Sequence, residues 1–497
     1  MIRKSSEFLT ALVLYATILV YQGYQYGVGD QSQILPCLYA QDHPGVYAAD
    51  HYVNAYLNSD INERTIFHFL LRYLGYNQPY VMLLWHLLLG TTLMMAWIRI
   101  AAQGIHQKIF QYLAVASIFI LGFHTSTGSN ELYYNMVIPS LAAKALGSWA
   151  LYFWIKEEYN WWLGLTLIAG LLQPLVGIQL FLLTSIPLLI QLIIQHKVKT
   201  FPWKPTLGYL VITVPWMFLL ASHNGGNQDP GAFMDIMEFR LSHHFFPSYF
   251  GWKNLFLFGL FVIITLRFYK ERLRWMILLI LAGCVLYTVG VEKYRLPEAL
   301  YTQWWKTTIW LEAFAFIAIV VSFDKWNGVP KWMTRYTFAV PILLLVLISF
   351  YRLTGWFGSK PEYVMPWSHH VSDAIDISQQ AEKVTAQDAV FIVPIDFTAF
   401  RWYSKRSLYV DYKAMLHQEK FLHEWYKRIE NIYAYGLKEK KGGFDIHVFS
   451  TALLEEPSLI SRDYWKSLGI GYIISTAHDI KSLELVARND TYAIYKL

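Results

Sequence analysis

The chain has 497 residues, of which 55% are hydrophobic, 17% aromatic and only 15% charged, with a formal net charge of +6. A soluble protein carries about 25% charged residues, so this composition excludes an ordinary soluble enzyme and points to a polytopic membrane protein. The basic excess comes without any nucleic-acid-binding pattern. The two cysteines, Cys37 and Cys284, stand far apart with Cys284 inside an apolar run, which gives neither a disulfide framework nor a thiol metal site.

Met1-Ile2-Arg3-Lys4 precedes an apolar run from Phe8 to about Tyr24. No small-residue cleavage site follows, so the run reads as an uncleaved first span rather than a signal peptide. It passes into a long polar loop, 26–78, that opens with Gly29-Asp30-Gln31-Ser32-Gln33 and continues through Asp50 to Asn62-Glu63-Arg64. An acidic side chain where an apolar helix leaves the bilayer is costly unless it binds or reacts with something. Asp30 is therefore the leading candidate for a functional carboxylate, with Gln31 and Gln33 beside it. Asp50 and Glu63 read first as solvated loop or capping residues. Ile66, Phe69, Leu70 and Tyr73 recur at helical spacing and predict an amphipathic helix along the membrane surface.

Further apolar segments run Tyr80–Ile98, Ile109–Phe123, Val137–Ile155, Leu163–Ile194, Leu207–Ala221, Leu255–Phe268, Trp275–Gly290, Thr308–Phe323 and Phe338–Leu353. A crossing needs about 20 residues. Leu163–Ile194 is too long for one and carries Gln173-Pro174, so it divides into two, which gives about 11 spans in all. With the N-terminus inside, the inner connections collect Arg99, Lys108, Lys156, Lys197, Lys199, Lys204, Arg267, Lys270, Arg272, Arg274, Lys325, Lys331 and Arg335. The positive-inside rule favours this orientation and accounts for much of the net charge. Every motif-like polar stretch then falls on the opposite, non-cytoplasmic face.

The second outer loop holds His124-Thr125-Ser126-Thr127-Gly128-Ser129-Asn130-Glu131. Its small polar residues can line a sugar or phosphate pocket, or form a turn in which Ser129 caps the next helix. Asn130 and Glu131 are kept as second-rank binding residues. The third loop carries Arg240-Leu241-Ser242-His243-His244-Phe245-Phe246-Pro247. Arg grips phosphate bidentately and His adds a titratable hydrogen bond, although the same residues could instead form an interfacial belt. Neighbouring histidines on one strand or helix point apart, which argues against a metal pair. In the fourth loop Arg295 is a candidate phosphate ligand or an interfacial anchor.

From Lys360 onward the charge density rises to that of a soluble domain. Ala389–Pro394 and Gly469–Ser475 predict strands, Ala487–Lys496 a final strand or two, and Ile377–Val384 and Glu419–Tyr435 helices. The expected fold is a polytopic α-helical membrane domain, 1–358, followed by a small α/β soluble domain, 359–497. The soluble domain has no Gly-rich phosphate loop and no triad. Arg401, Arg406 and Asp411 could face the membrane site or form surface salt pairs.

A first helix, a long outer loop opening with an acidic residue, many spans and an outer C-terminal domain together resemble the GT-C glycosyltransferase superfamily. Gly29-Asp30-Gln31 with Leu35-Pro36, the Arg240–Pro247 stretch and Phe400-Arg401 to Arg406 resemble, more narrowly, the uncharacterised bacterial DUF6798-like proteins. The resemblance implies an integral protein of the bacterial inner membrane, N-terminus cytoplasmic and C-terminal domain periplasmic. It implies transfer of a sugar from a polyprenyl-phosphate-linked donor to an acceptor not identified by the sequence. It also implies Asp30 as general base or acceptor-positioning group, and Arg240, His243, His244 and Arg295 as holders of the lipid phosphate. Many relatives have paired acids where this chain has Asp30-Gln31, so a second carboxylate would come from Asp50 or Glu131, and a divalent metal is left open. The competing expectation is a non-catalytic binder of lipid-linked glycans, a transporter component or an envelope scaffold.

Overall fold

The computed structural model describes residues 2–59, 61–128, 130–223, 229–324, 337, 339–354, 363–367, 372–394, 397–437, 462–476 and 480–497. Ser129, Lys325, Lys331, Arg335 and Lys360 lie outside the described residues. The chain divides into two compact units: Met1–Tyr24, Leu83–Leu219 and His243–Tyr363 form the first, and Gln25–Met82, Leu220–Ser242 and Val364–Leu497 the second. The division read from the sequence falls near the Tyr363/Val364 junction. The polar loop after the first helix, however, groups with the C-terminal segment.

The first unit is helical, and each predicted apolar segment coincides with a helix. Five helices among the described residues are long and apolar enough to cross a membrane: Pro79–Ala101, Pro174–Ile194, Trp203–Ser222, Glu271–Lys293 and Pro297–Asp324. Shorter apolar helices span Glu7–Gln22, Lys108–Ile120, Tyr159–Leu172 and Ala339–Tyr351. The protein is therefore an integral membrane protein. The predicted break at Gln173-Pro174 is present. Gln173 leaves the helical region at φ −145°, ψ 96°, and Pro174 starts the next helix, where its missing N–H costs no intrahelical bond.

The two helices joined by this break meet at glycines. A Cβ on Gly177 would lie 2.2 Å from the Gly170 Cα, and backbone cannot yield as a flexible side chain does. In lipid, where apolar burial drives little association, such close backbone approach is a main source of helix packing. Gly177→Ala is expected to lower stability by about 1–3 kcal/mol, read as a lower thermal midpoint of the detergent-solubilised protein.

In the second unit a five-stranded sheet has the order β2-β1-β3-β5-β4. β1 (Val390–Ile392) pairs in parallel with β2 (Ser407–Leu408) and with β3 (Tyr472–Ser475). β5 (Ala493–Lys496) runs antiparallel to β3 and to β4 (Glu484–Arg488). Ile377 and Ala381 from the helix Asp373–Val384 join Phe391, Val393, Phe400, Leu408, Ile474 and Ile494 in its buried core. The amphipathic pattern of 66–73 also forms a helix, Thr65–Tyr73. It buries Phe67, His68 and Leu71 and leaves Phe69, Leu70 and Tyr73 exposed.

Candidate functional site

Asp30 lies in a 3-10 turn, Gly29–Gln33. The turn is pinned from both sides: the Gly29 N–H donates to Thr398 Oγ1 at 3.0 Å, and Ser32 Oγ donates to the Gly29 carbonyl at 2.7 Å. Gly27, at φ +73°, precedes it, and an added Cβ there would meet Trp402 Cδ1 at 2.2 Å, so only glycine fits. The Asp30 carboxylate is paired with Lys413, with Nζ to Oδ1 at 2.6 Å. The two side chains are 39% and 38% exposed, which makes the pair reachable by a ligand.

Lys413 joins Asp30 to Arg240. One Arg240 terminal nitrogen donates to the Lys413 carbonyl at 3.2 Å, and its guanidinium stacks on the Tyr412 ring at 4.2 Å. Tyr412 in turn donates from its hydroxyl to the carbonyls of Phe239 and Arg240. Arg240 is 7% exposed, and its Nε is buried with no hydrogen-bond partner among the described residues. Burial lowers its pKa from the usual value, only partly offset by Tyr412 and Asp30. A buried cation with an unsatisfied donor would be stabilised by an arriving anion.

Arg64 adds a third permanent cation. It donates to Gln33 Oε1 at 3.1 Å and lies 3.6 Å from Glu63. Burial works against its charge, but the oxygens of Tyr52, Glu63 and Asp30 raise its pKa overall. His417 Nδ1 is 3.7 Å from Glu63. Burial raises the Glu63 carboxyl, but its contact with His417 and the charge of Arg64 outweigh this and leave its pKa lowered to about 2. Two carboxylates, Asp30 and Glu63, therefore stand among the basic side chains of Arg64, Arg240 and Lys413, with His417 beside Glu63.

Asp50, expected as a second acid, has a different position. It is fully buried, and its carboxylate caps the helix His51–Leu57 at Val53 N and accepts from Arg401 Nε at 2.6 Å and Leu408 N at 2.9 Å. Both oxygens are occupied, so Asp50 organises the unit and offers no face to a substrate. Arg401, 3% exposed, also pairs with Asp411, and its carbonyl accepts from Tyr47 at 2.6 Å. The surface salt pairing considered for Arg401 and Asp411 is thus a buried network. Arg406 is buried as well and donates to the carbonyls of Glu382 and Thr385. Gln31 is fully buried and accepts from Gly27 N at 2.9 Å, closing the turn, whereas Gln33 reaches Arg64.

The remaining candidates belong to the first unit. The helix Pro230–Phe245 is kinked at Leu241, and the unit boundary falls just beyond, separating Arg240 from His243 and His244. His244 Nδ1 is 2.9 Å from the Gly128 carbonyl and so fastens the loop that carries Gly128. The two rings lie 3.9 Å apart, closer than the expected divergence of neighbouring side chains, because they sit at the end of this irregular helix. Arg295 is exposed at φ +48°. Asn130 is buried, donates to the Lys306 carbonyl at 2.7 Å and accepts from Lys144 Nζ at 2.9 Å. Glu131 gives its carbonyl to the same lysine, and its side chain lines a small cavity with Gln22, Asn130 and Glu312. Among the described residues no group of three or more His, Cys, Asp or Glu side chains gathers to hold a metal ion.

Lys413 and His417 were not singled out by the sequence, and Arg64 only as a feature of the first loop. No local pattern marks Lys413 or His417, because their partners, Asp30 and Glu63, come from the other end of the chain.

A family model, "Domain of unknown function (DUF6798)", matches residues 372–432, the stretch that holds Arg401, Asp411, Lys413 and His417. No curated protein matches the sequence. Among solved structures the chain is similar to ArnT from Cupriavidus metallidurans bound to undecaprenyl phosphate, at 14% identity and TM-score 0.46, over 99% of this chain and 97% of that one. The apo form of that ArnT aligns over the same shares at 13% identity and TM-score 0.36. An Archaeoglobus fulgidus oligosaccharyltransferase tethered with an acceptor peptide aligns at 11% identity and TM-score 0.42, over 94% of this chain and 69% of that one. Both proteins are GT-C glycosyltransferases, the superfamily that the sequence resembles. At these scores they are likenesses only.

Proposed function

We propose that this integral membrane protein transfers a sugar from a polyprenyl-phosphate-linked donor to an acceptor, with Asp30 as general base and Arg240, Arg64 and Lys413 as the phosphate-holding cations. The observation that carries the reading is one reachable carboxylate, Asp30, in direct contact with Lys413 and joined through it to a buried Arg240 with an unsatisfied donor. The acceptor hydroxyl gives its proton to the Asp30 carboxylate as its oxygen attacks the anomeric carbon. The bond from that carbon to the phosphate oxygen breaks, and the departing lipid phosphate takes the electron pair. A base must lie within hydrogen-bond reach of the proton it removes, and fixed positive charge lowers the energy of a developing anion. Both requirements are matched by charge types already gathered around Lys413.

The crossings are read as eleven, the nine apolar helices given above together with Pro139–Ile155 and Trp252–Phe268. The excess of Lys and Arg on the connections opposite the first loop supports a site facing the periplasm, or a lumen. In this orientation the exposed Phe69, Leu70 and Tyr73 of the helix Thr65–Tyr73 suit the headgroup layer. His243, His244 and Arg295 are assigned to anchoring the outer loops, a role supported by the His244 contact with Gly128. No step is routed through a metal.

Binding of undecaprenyl phosphate to the purified protein tests the phosphate assignment. A hydrogen bond to a charged group contributes about 1.5–3 kcal/mol, so Arg240→Ala is expected to weaken binding at least about tenfold. Unchanged affinity would remove Arg240 from the site.

A further inference from the structure

The same cluster holds a feature that the phosphate reading does not by itself explain: the lysine nearest the candidate base already has an anion. Lys413 is fixed at its backbone and loose at its tip. Asp411 Oδ1 accepts from Ala414 N at 2.5 Å, which forms the turn carrying Lys413, and Arg240 holds the Lys413 carbonyl. Trp425 Nε1 donates to the Asp411 carbonyl at 2.8 Å, and Arg401 grips the Asp411 carboxylate from within. The side chain, by contrast, is 38% exposed and ends in an ammonium on a flexible four-carbon stem. Arg240 and Arg64 lack this freedom. Arg240 is sandwiched against Tyr412, and Arg64 is held by Gln33 with Glu63 beside it.

We propose that Lys413 is an exchangeable ion-pair partner: it holds Asp30 while the site is empty and moves to the phosphate group of an arriving ligand, which releases Asp30 to meet the acceptor. The inference rests on the phosphate reading above and assigns an order of events to it. An ion pair this exposed is weak and opens readily, whereas a phosphate seated among Arg240, Arg64 and Lys413 meets three cations at once. The exchange therefore runs towards the ligand. Without it Asp30 would keep its ammonium partner during the reaction and be a poorer base.

A double-mutant cycle on the full-length, detergent-solubilised protein tests the exchange. Wild type, Asp30→Asn, Lys413→Ala and the double variant are titrated with undecaprenyl phosphate and, separately, with inorganic phosphate. Both side chains are more than a third exposed, so the substitutions leave the fold intact. Asp30→Asn is expected to tighten binding about two- to fivefold, because the lysine no longer has to leave a partner. Lys413→Ala is expected to weaken binding and to abolish that gain in the double variant. Lys413→Arg should keep a gain, since the charge remains.

The same pattern with both probes assigns the exchange to the phosphate group alone. The pattern with the lipid only assigns it to a seated lipid headgroup. An equal gain from Asp30→Asn with and without Lys413 would show simple repulsion between Asp30 and the ligand, and would overturn the exchange while leaving phosphate binding intact. No gain, or weaker binding, in Asp30→Asn would overturn it equally. Failure of the wild type to bind either probe would take down the phosphate site and the exchange together.

Discussion

Arg401→Met is expected to destabilise the second unit by about 3–5 kcal/mol. The substitution keeps a similar length of side chain and removes the cation between two buried carboxylates, Asp50 at 0% and Asp411 at 8% exposure. A buried ion pair adds little against an apolar replacement of both partners, but removing one partner leaves an uncompensated charge in a low-dielectric interior. Asp50 additionally holds the helix His51–Leu57 and the end of β2 through its contacts with Val53 N and Leu408 N. Its displacement would loosen both. Limited proteolysis of the purified variant should cut within the second unit under conditions in which the wild type resists. Changing Asp50 and Asp411 to their amides in the same background should recover part of the loss. Resistance equal to wild type would mean that the network does not hold the unit together.

Asp30→Asn is expected to leave the protein folded and to lower sugar transfer by about 10²–10⁴-fold, the usual contribution of general acid–base catalysis. The amide keeps the shape and accepts hydrogen bonds, but it cannot take a proton. The half-buried Asp30 lies on a turn fixed by contacts at the Gly29 backbone, and those contacts do not involve its carboxylate. A loss of rate at saturating donor, with donor affinity kept or improved, is the signature expected of a base. A loss confined to donor affinity would instead make Asp30 a binding residue.

The apolar helices, five of them long enough to cross a membrane, were legible because a lipid-facing helix must be apolar along its whole length, and the break at Gln173-Pro174 was legible because proline cannot continue a helix. β1, β3 and β5 were readable as short apolar strands. β2 has two residues, too few to carry a periodic pattern. Asp30 was found from its position alone, at the end of an apolar run. Its partner was not, since a contact between the first loop and Lys413 leaves no trace in local spacing. Asp50 shows the opposite failure. A carboxylate in a polar loop reads as exposed, and only the long-range pairing with Arg401 shows that it is interior. Arg240 was picked out for its charge beside two histidines, yet its contacts are with Tyr412 and Lys413, because the kink at Leu241 changes the course of the chain before His243.

The most direct test of the assignment is turnover of a panel of polyprenyl-phosphate sugars by the purified wild-type protein, followed by mass spectrometry of the released lipid phosphate and the glycosylated acceptor. Transfer of at least one sugar by the wild type, lost in Asp30→Asn, is the predicted result. Tight binding of the donors without turnover by the wild type would contradict it and make the protein a binder of lipid-linked glycans.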